Sequence, residues 1–204
     1  LVWHVSNAGN AEVFTFNFNY SDADVLQATA ELFNNVCDVI PDDVTVLFEN
    51  LWWPGLRLID FNLVERFFAS LNKTNVGIML DTGHLMNTNR QLTSEAEGIG
   101  YVCRTVQALG SLKRLIKGVH LSCSLSGSYQ QSFEKIVPLQ VDYEALLTHI
   151  GKIDRHQPFT VPEAEAILEA VQPQYLVHEL FYDNLTDLGG KLRQQQKACG
   201  LRSR

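Results

Sequence analysis

Short apolar runs alternate with amphipathic helical patterns along most of the chain, and this alternation limits the fold more than any other feature. Runs at 1–5, 44–49, 76–81, 116–121 and 175–179 read as strands, with 153–156 as a very short sixth. Between them, Val25, Leu32, Val36 and Val39 share one face of a helix that Ser21 or Asp22 caps and Pro41 ends. Phe61, Val64, Phe67, Phe68 and Leu71 stripe a helix at 60–71, and Ile99, Val102, Val106 and Leu109 stripe another at 93–109. Further helices are predicted at 141–150, at 162–171 with Pro162 opening it, and at about 187–199. Phe14, Phe16, Phe18 and Tyr20 alternate at period two, which predicts an extended segment with one aromatic face. Apolar strands alternating with helices call for a parallel sheet covered by helices, either an open doubly wound sheet or a TIM (β/α)8 barrel. A closed barrel needs eight strands and typically about 250 residues. With 204 residues, the barrel reading carries the expectation of a single α/β domain over 1–204 that lacks its first two βα units in this chain.

Composition narrows the function. Net charge is 16 − 23 = −7, which disfavours a nucleic-acid partner because that binding neutralises phosphates. Lys191, Arg193, Lys197, Arg202 and Arg204 are interleaved with glutamines and read as a solvated helix end. No apolar run approaches the roughly 18 residues of a membrane span, so no membrane partner is expected. Four scattered cysteines without a C-x-x-C pair read as reduced thiols of a cytoplasmic protein, Cys37 and Cys103 in the core and Cys123 as a packed loop thiol or a soft extra ligand. The stretch 122–140 reads as a polar, Ser-rich loop, and a homo-oligomer stays open.

The strand ends carry the chemistry. His4 lies near the end of the first strand, Glu49 closes the second, Asp81 the third, His120 falls near the end of the fourth, and Glu179 closes the last. Asp154 and His156 are two apart, so an extended segment would point both the same way. All strand C-termini of a parallel barrel share one rim, where these groups would converge. Taken singly, Glu49 caps a loop, Asp81 is turn chemistry before Thr82 and Gly83, and each histidine is structural, as His149 on its helix is expected to be. Isolated buried carboxylates are costly, so repetition at strand ends favours a metal site.

ENLWWPG at 49–55, LDTGH at 80–84, VHLS at 119–122 and VHEL at 177–180 resemble the xylose-isomerase-like TIM-barrel superfamily. That group includes sugar and sugar-phosphate isomerases and epimerases, and the endonuclease IV family. The epimerase resemblance implies one divalent metal, Mn, Mg or Co, held by Glu49, Asp81, His120 and Glu179. Glu49 and Glu179 would also be the acid/base pair, one removing a proton beside a carbonyl and the other returning it through a cis-enediolate. His84 would bind a substrate oxygen, and Trp52 and Trp53 would wall the pocket or pack in the core. The substrate would be a small sugar or sugar phosphate. The endonuclease IV resemblance instead implies zinc, with His4, His84, Asp154 and His156 as further ligands and hydrolysis at abasic sites in DNA. The literal DRH at 154–156 supports it, but Asp154 lies 34 residues after His120 and QPFTVPEAE follows instead of a glycine-rich stretch. Ser122 and Cys123 stand where the epimerase pattern usually has an Asp. The isomerase is therefore the favoured expectation, ahead of the AP endonuclease and of an inactive metal- and sugar-binding relative.

Overall fold

The computed structural model describes residues 1–201; Arg202 and Arg204 of the basic tail lie outside the described residues. Strands β1 (Val2–His4), β2 (Val46–Glu49), β3 (Val76–Asp81), β4 (Ile116–Leu121) and β5 (Tyr175–His178) form one all-parallel sheet in the order β1-β2-β3-β4-β5. A doubly wound sheet reverses its strand order at a switch point, whereas sequential parallel order is that of an α/β barrel wall. The connections carry helices α1 (Asn10–Thr15), α2 (Asp22–Val36), α3 (Phe61–Ala69), α4 (Thr82–Asn87), α5 (Glu95–Ala108), α6 (Gly127–Ser132), α7 (Tyr143–Ile153) and α8 (Glu165–Val171), and α9 (Leu185–Ala198) follows β5. Among the described residues, no helix is long and apolar enough to cross a membrane.

Register separates the two faces of this sheet. Directly paired residues of parallel strands point to the same side, and neighbours along a strand point to opposite sides. His4 pairs with Glu49, Glu49 with Met79, Asp81 with His120, and His120 with Val177. His4, Glu49, Asp81 and His120 therefore share one face, and Glu179, two residues beyond Val177, continues it. The β3–β4 register slips by one residue between the pairs Ile78–Ile116 and Met79–Gly118, leaving Lys117 extra. Without this bulge Asp81 would face Val119, and His120 would turn to the opposite side. A Cβ on Gly118 would come 2.7 Å from the Met79 sulfur, so glycine makes room for Met79 beneath the rim. The opposite face holds Phe48, Ile78, Leu80, Val119 and Leu121, which form the main core with Leu26, Phe33, Phe67, Val102 and Ile167.

Four expectations need correction. The aromatic stretch is not extended: Gly9 N–H donates to the Glu12 carboxylate (2.7 Å) at the start of α1, and left-handed Phe16 (φ 53°) ends that helix. Local capping outweighs a four-residue alternation, and of the aromatics at 14–20 only Phe14 lies within α1. Second, α2 buries Val25, Leu26, Ala30 and Phe33, while Leu32 is 54% and Val39 84% exposed. Phe33 sets this rotation by packing edge-on against Phe48 (5.1 Å between centroids) and Trp3 (6.0 Å). Third, 153–156 is not a strand: Ile153 ends α7, His156 is left-handed (φ 43°), and the one sheet-like link there is the Cys123–Gln157 bridge. Fourth, the loop reading of 122–140 holds for its second half only: 134–140 are exposed and without helix or strand, whereas Ser122, Ser124, Ser126 and Gln130 are buried and α6 lies between.

Phe33→Ala should lower stability by about 3–5 kcal/mol in urea denaturation. Leu32→Ala, its exposed neighbour, should change it by less than about 0.5 kcal/mol.

Candidate metal centre

The shared face ends in a group of carboxylates around one imidazole. His120 Nδ1 lies 3.2 Å from Glu49 Oε1, 2.9 Å from Glu179 Oε2 and 4.0 Å from Asp81 Oδ2. One donor atom from each of Glu49, Asp81, His120 and Glu179 falls within 4.8 Å of the others. Glu49 and Asp81 are fully buried. Among the described residues, Glu49 Oε2, Asp81 Oδ2 and Glu179 Oε2 are buried without a hydrogen-bond partner. Glu179 Oε2 lies at hydrogen-bond distance from His120 Nδ1 without hydrogen-bond alignment, as when lone pairs aim at a common point. Buried carboxylate oxygens in this state need a cation, and the donor set fits a divalent one.

The backbone around Asp81 is held by a residue that the sequence did not single out. Asn50 accepts from Asp81 N–H (2.9 Å) and donates to Asp81 C=O (3.0 Å). Asp81 also caps α4, Oδ1 accepting from His84 N–H at 2.6 Å, which leaves Oδ2 to face the carboxylate group. Its position immediately after Glu49 at a strand end was the one local signal for Asn50.

A second group lies beside the first. Asp154 Oδ2 is 3.0 Å from His84 Nε2 and 2.6 Å from His156 Nε2. The other ring nitrogens face backbone carbonyls, His84 Nδ1 to Asn50 (2.9 Å) and His156 Nδ1 to Glu179 (3.0 Å). A carbonyl only accepts, so each Nδ1 carries a proton and donates it. In the neutral rings both Nε2 lone pairs then face a carboxylate, an arrangement that needs protons or a metal ion between them. These donors fit a metal with two nitrogens and one oxygen, the rings oriented from behind by their carbonyl partners. His84 also links the groups, its Nδ1 3.4 Å from Glu49 Oε1.

Electrostatics bears out this need for positive charge. Burial would lower His120, but the Glu179 and Glu49 carboxylates raise it to about 10. His84 also reaches about 10, burial being overcome by Asp81, Asp154 and Glu49. Burial raises the Asp81 carboxyl to about 7 despite the opposing charge of His84. Burial likewise acts to raise Glu49, yet His120 and His4 hold it at about 2.

The remaining expected residues fall in three places. His4, with a side chain 63% exposed, touches Glu49 (3.2 Å) at the sheet edge but belongs to neither donor group. Trp52 packs 5.0 Å from the His84 ring and 4.6 Å from Trp53, and both indole N–H groups are buried without partners. Cys123 is a packed loop thiol that burial pushes up to about 12, outside both groups. His149 is structural, joining Tyr129 Oη (2.8 Å) to the Val13 carbonyl (3.0 Å).

Metal uptake should displace protons from the histidines. Since their basicity is raised, apparent affinity should fall as pH drops from 8 to 6, by roughly tenfold per pH unit for each proton displaced. Calorimetric titration in buffers of different ionisation enthalpy would count those protons; a heat that does not vary with the buffer would contradict the linkage.

No curated protein and no solved structure matches the chain. The family model for the xylose isomerase-like TIM barrel matches residues 4–198, from the last residue of β1 through β5, with both donor groups inside. The chain belongs to the xylose isomerase-like TIM barrel family.

Proposed function

We propose that the protein is a divalent-metal-dependent isomerase or epimerase acting on a small sugar or sugar phosphate. The observation that carries this reading is the convergence of two glutamates, Glu49 from the end of β2 and Glu179 from just past β5, on the same His120 nitrogen. Paired carboxylates at one site can act as base and acid on a substrate between them. An ion held by Glu49, Asp81, His120 and Glu179 would polarise a carbonyl and adjacent hydroxyl and acidify the neighbouring C–H. One glutamate removes that proton and the other returns it. Trp52, beside His84, walls the pocket against the apolar face of the sugar. The carboxylate-rich set suits Mn, Mg or Co. The net charge of −7 also suits a small substrate better than DNA.

Glu49→Gln should lower turnover about 10²–10⁴-fold. The assay is deuterium incorporation from D₂O into a panel of aldoses, ketoses and their phosphates, at the carbon beside the carbonyl. Turnover by this variant at the wild-type rate would remove the acid/base assignment.

A second reading, an endonuclease IV-like zinc phosphodiesterase, is favoured by the His84–Asp154–His156 group. The 34-residue separation of Asp154 from His120, which argued against it, is absorbed by the folded stretch that contains α6 and α7. Elemental analysis separates the readings. About one Mn, Co or Mg per chain supports the isomerase; two or three Zn make abasic DNA the first substrate to test.

A further inference from the structure

We propose that Asn87 is a positioning residue that makes Asp154 face the second donor group through one oxygen only. This rests on that group taking a divalent ion, the same basis as the phosphodiesterase reading.

Asn87 ends α4, three residues after His84, and is buried. Its Nδ2 donates toward Asp154 Oδ1 (3.5 Å), the oxygen turned away from the two imidazoles. Its Oδ1 accepts from Ser126 Oγ (2.7 Å) and lies 3.0 Å from Ser124 Oγ. Gln130 Nε2 donates to Ser126 Oγ (2.9 Å) and to the Asn87 carbonyl (3.1 Å). Donor and acceptor chemistry gives this chain one direction, Gln130 to Ser126 to Asn87 to Asp154, and such chains polarise each bond along them. Ser124 holds the same turn from its other side: it donates to the Ile153 carbonyl (2.8 Å) and accepts from Arg155 N–H (3.0 Å), bracketing Asp154.

Buried Ser124 and Ser126 thus have a task that a loop need not have. With Oδ1 engaged by Asn87, Asp154 offers Oδ2 alone to His84 and His156. Without the amide the carboxylate is free to rotate, and Ser126 loses its acceptor.

The test is titration of the metal-free full chain with Co²⁺, followed by visible absorption and by bound metal after desalting. Wild type should take a second equivalent with its own absorption band. Asn87→Ala should weaken that equivalent by about 10–100-fold, change its band and leave the first equivalent unaltered. Ser126→Ala, which keeps the amide but removes its strongest support, should weaken the same equivalent by less; it carries the test if Asn87→Ala does not fold. A folded Asn87→Ala, or in its place Ser126→Ala, with a second equivalent of wild-type affinity and band would overturn the proposal. Parallel loss of both equivalents would overturn it too, since Asn87 would then be a general scaffold residue. A wild type that takes one equivalent only would instead overturn the second-site reading, and the proposal with it.

Discussion

The extra residue in β4, Lys117, decides whether a metal site can exist here. His120 joins the face of Glu49, Met79 and Asp81 because the β3–β4 register slips by one place. Side chains alternate along a strand with period two, so the same strands without the slip would send His120 among the helices and leave Asp81 opposite a valine. The family of contacts at His120, 2.9 Å to Glu179 and 3.2 Å to Glu49, depends on that single offset. So does the placing of Val119 and Leu121 on the apolar face, the one that packs with Phe33 and Phe67.

Of the buried ionisable groups, Asp81, His84, Asp154 and His156 are held by neutral partners outside their clusters. Asn50 grips the backbone of Asp81 and accepts a hydrogen bond from His84 Nδ1–H on its carbonyl; the Glu179 carbonyl does the same for His156; the Asn87 amide engages Asp154. Each partner leaves a lone pair directed inward. The high basicity of His84 and His120 is the protonic form of the same demand for positive charge. His84 stands between the two groups, its Nδ1 near Glu49 and its Nε2 facing Asp154.

Much of this was legible before folding. Five strands lie within a residue or two of where the apolar runs put them, and the α3 and α5 stripes are buried or packed against the core as read. Glu49, Asp81, His120 and Glu179 meet as their places at strand ends suggested. Asp154 and His156 do come together, but through a left-handed turn after α7 and not through the alternation of a strand. The Ser-rich stretch read as a loop because its composition is polar; its first half is buried, where Ser124, Ser126 and Gln130 find partners in Asn87 and the Asp154 turn.

By itself, then, the sequence determined the order of strands and helices, the parallel architecture and the positions of the strand-end donors. Those follow from periodicity and termination, which are properties of short segments. Tertiary structure alone decided which face α2 buries, how β3 and β4 register, and that Asn87 meets Asp154 across 67 residues of chain. These are relations between segments: a ring finding its cluster, a slip of one residue, an amide finding a carboxylate. Their energies come from partners far apart in sequence, and no local pattern encodes them.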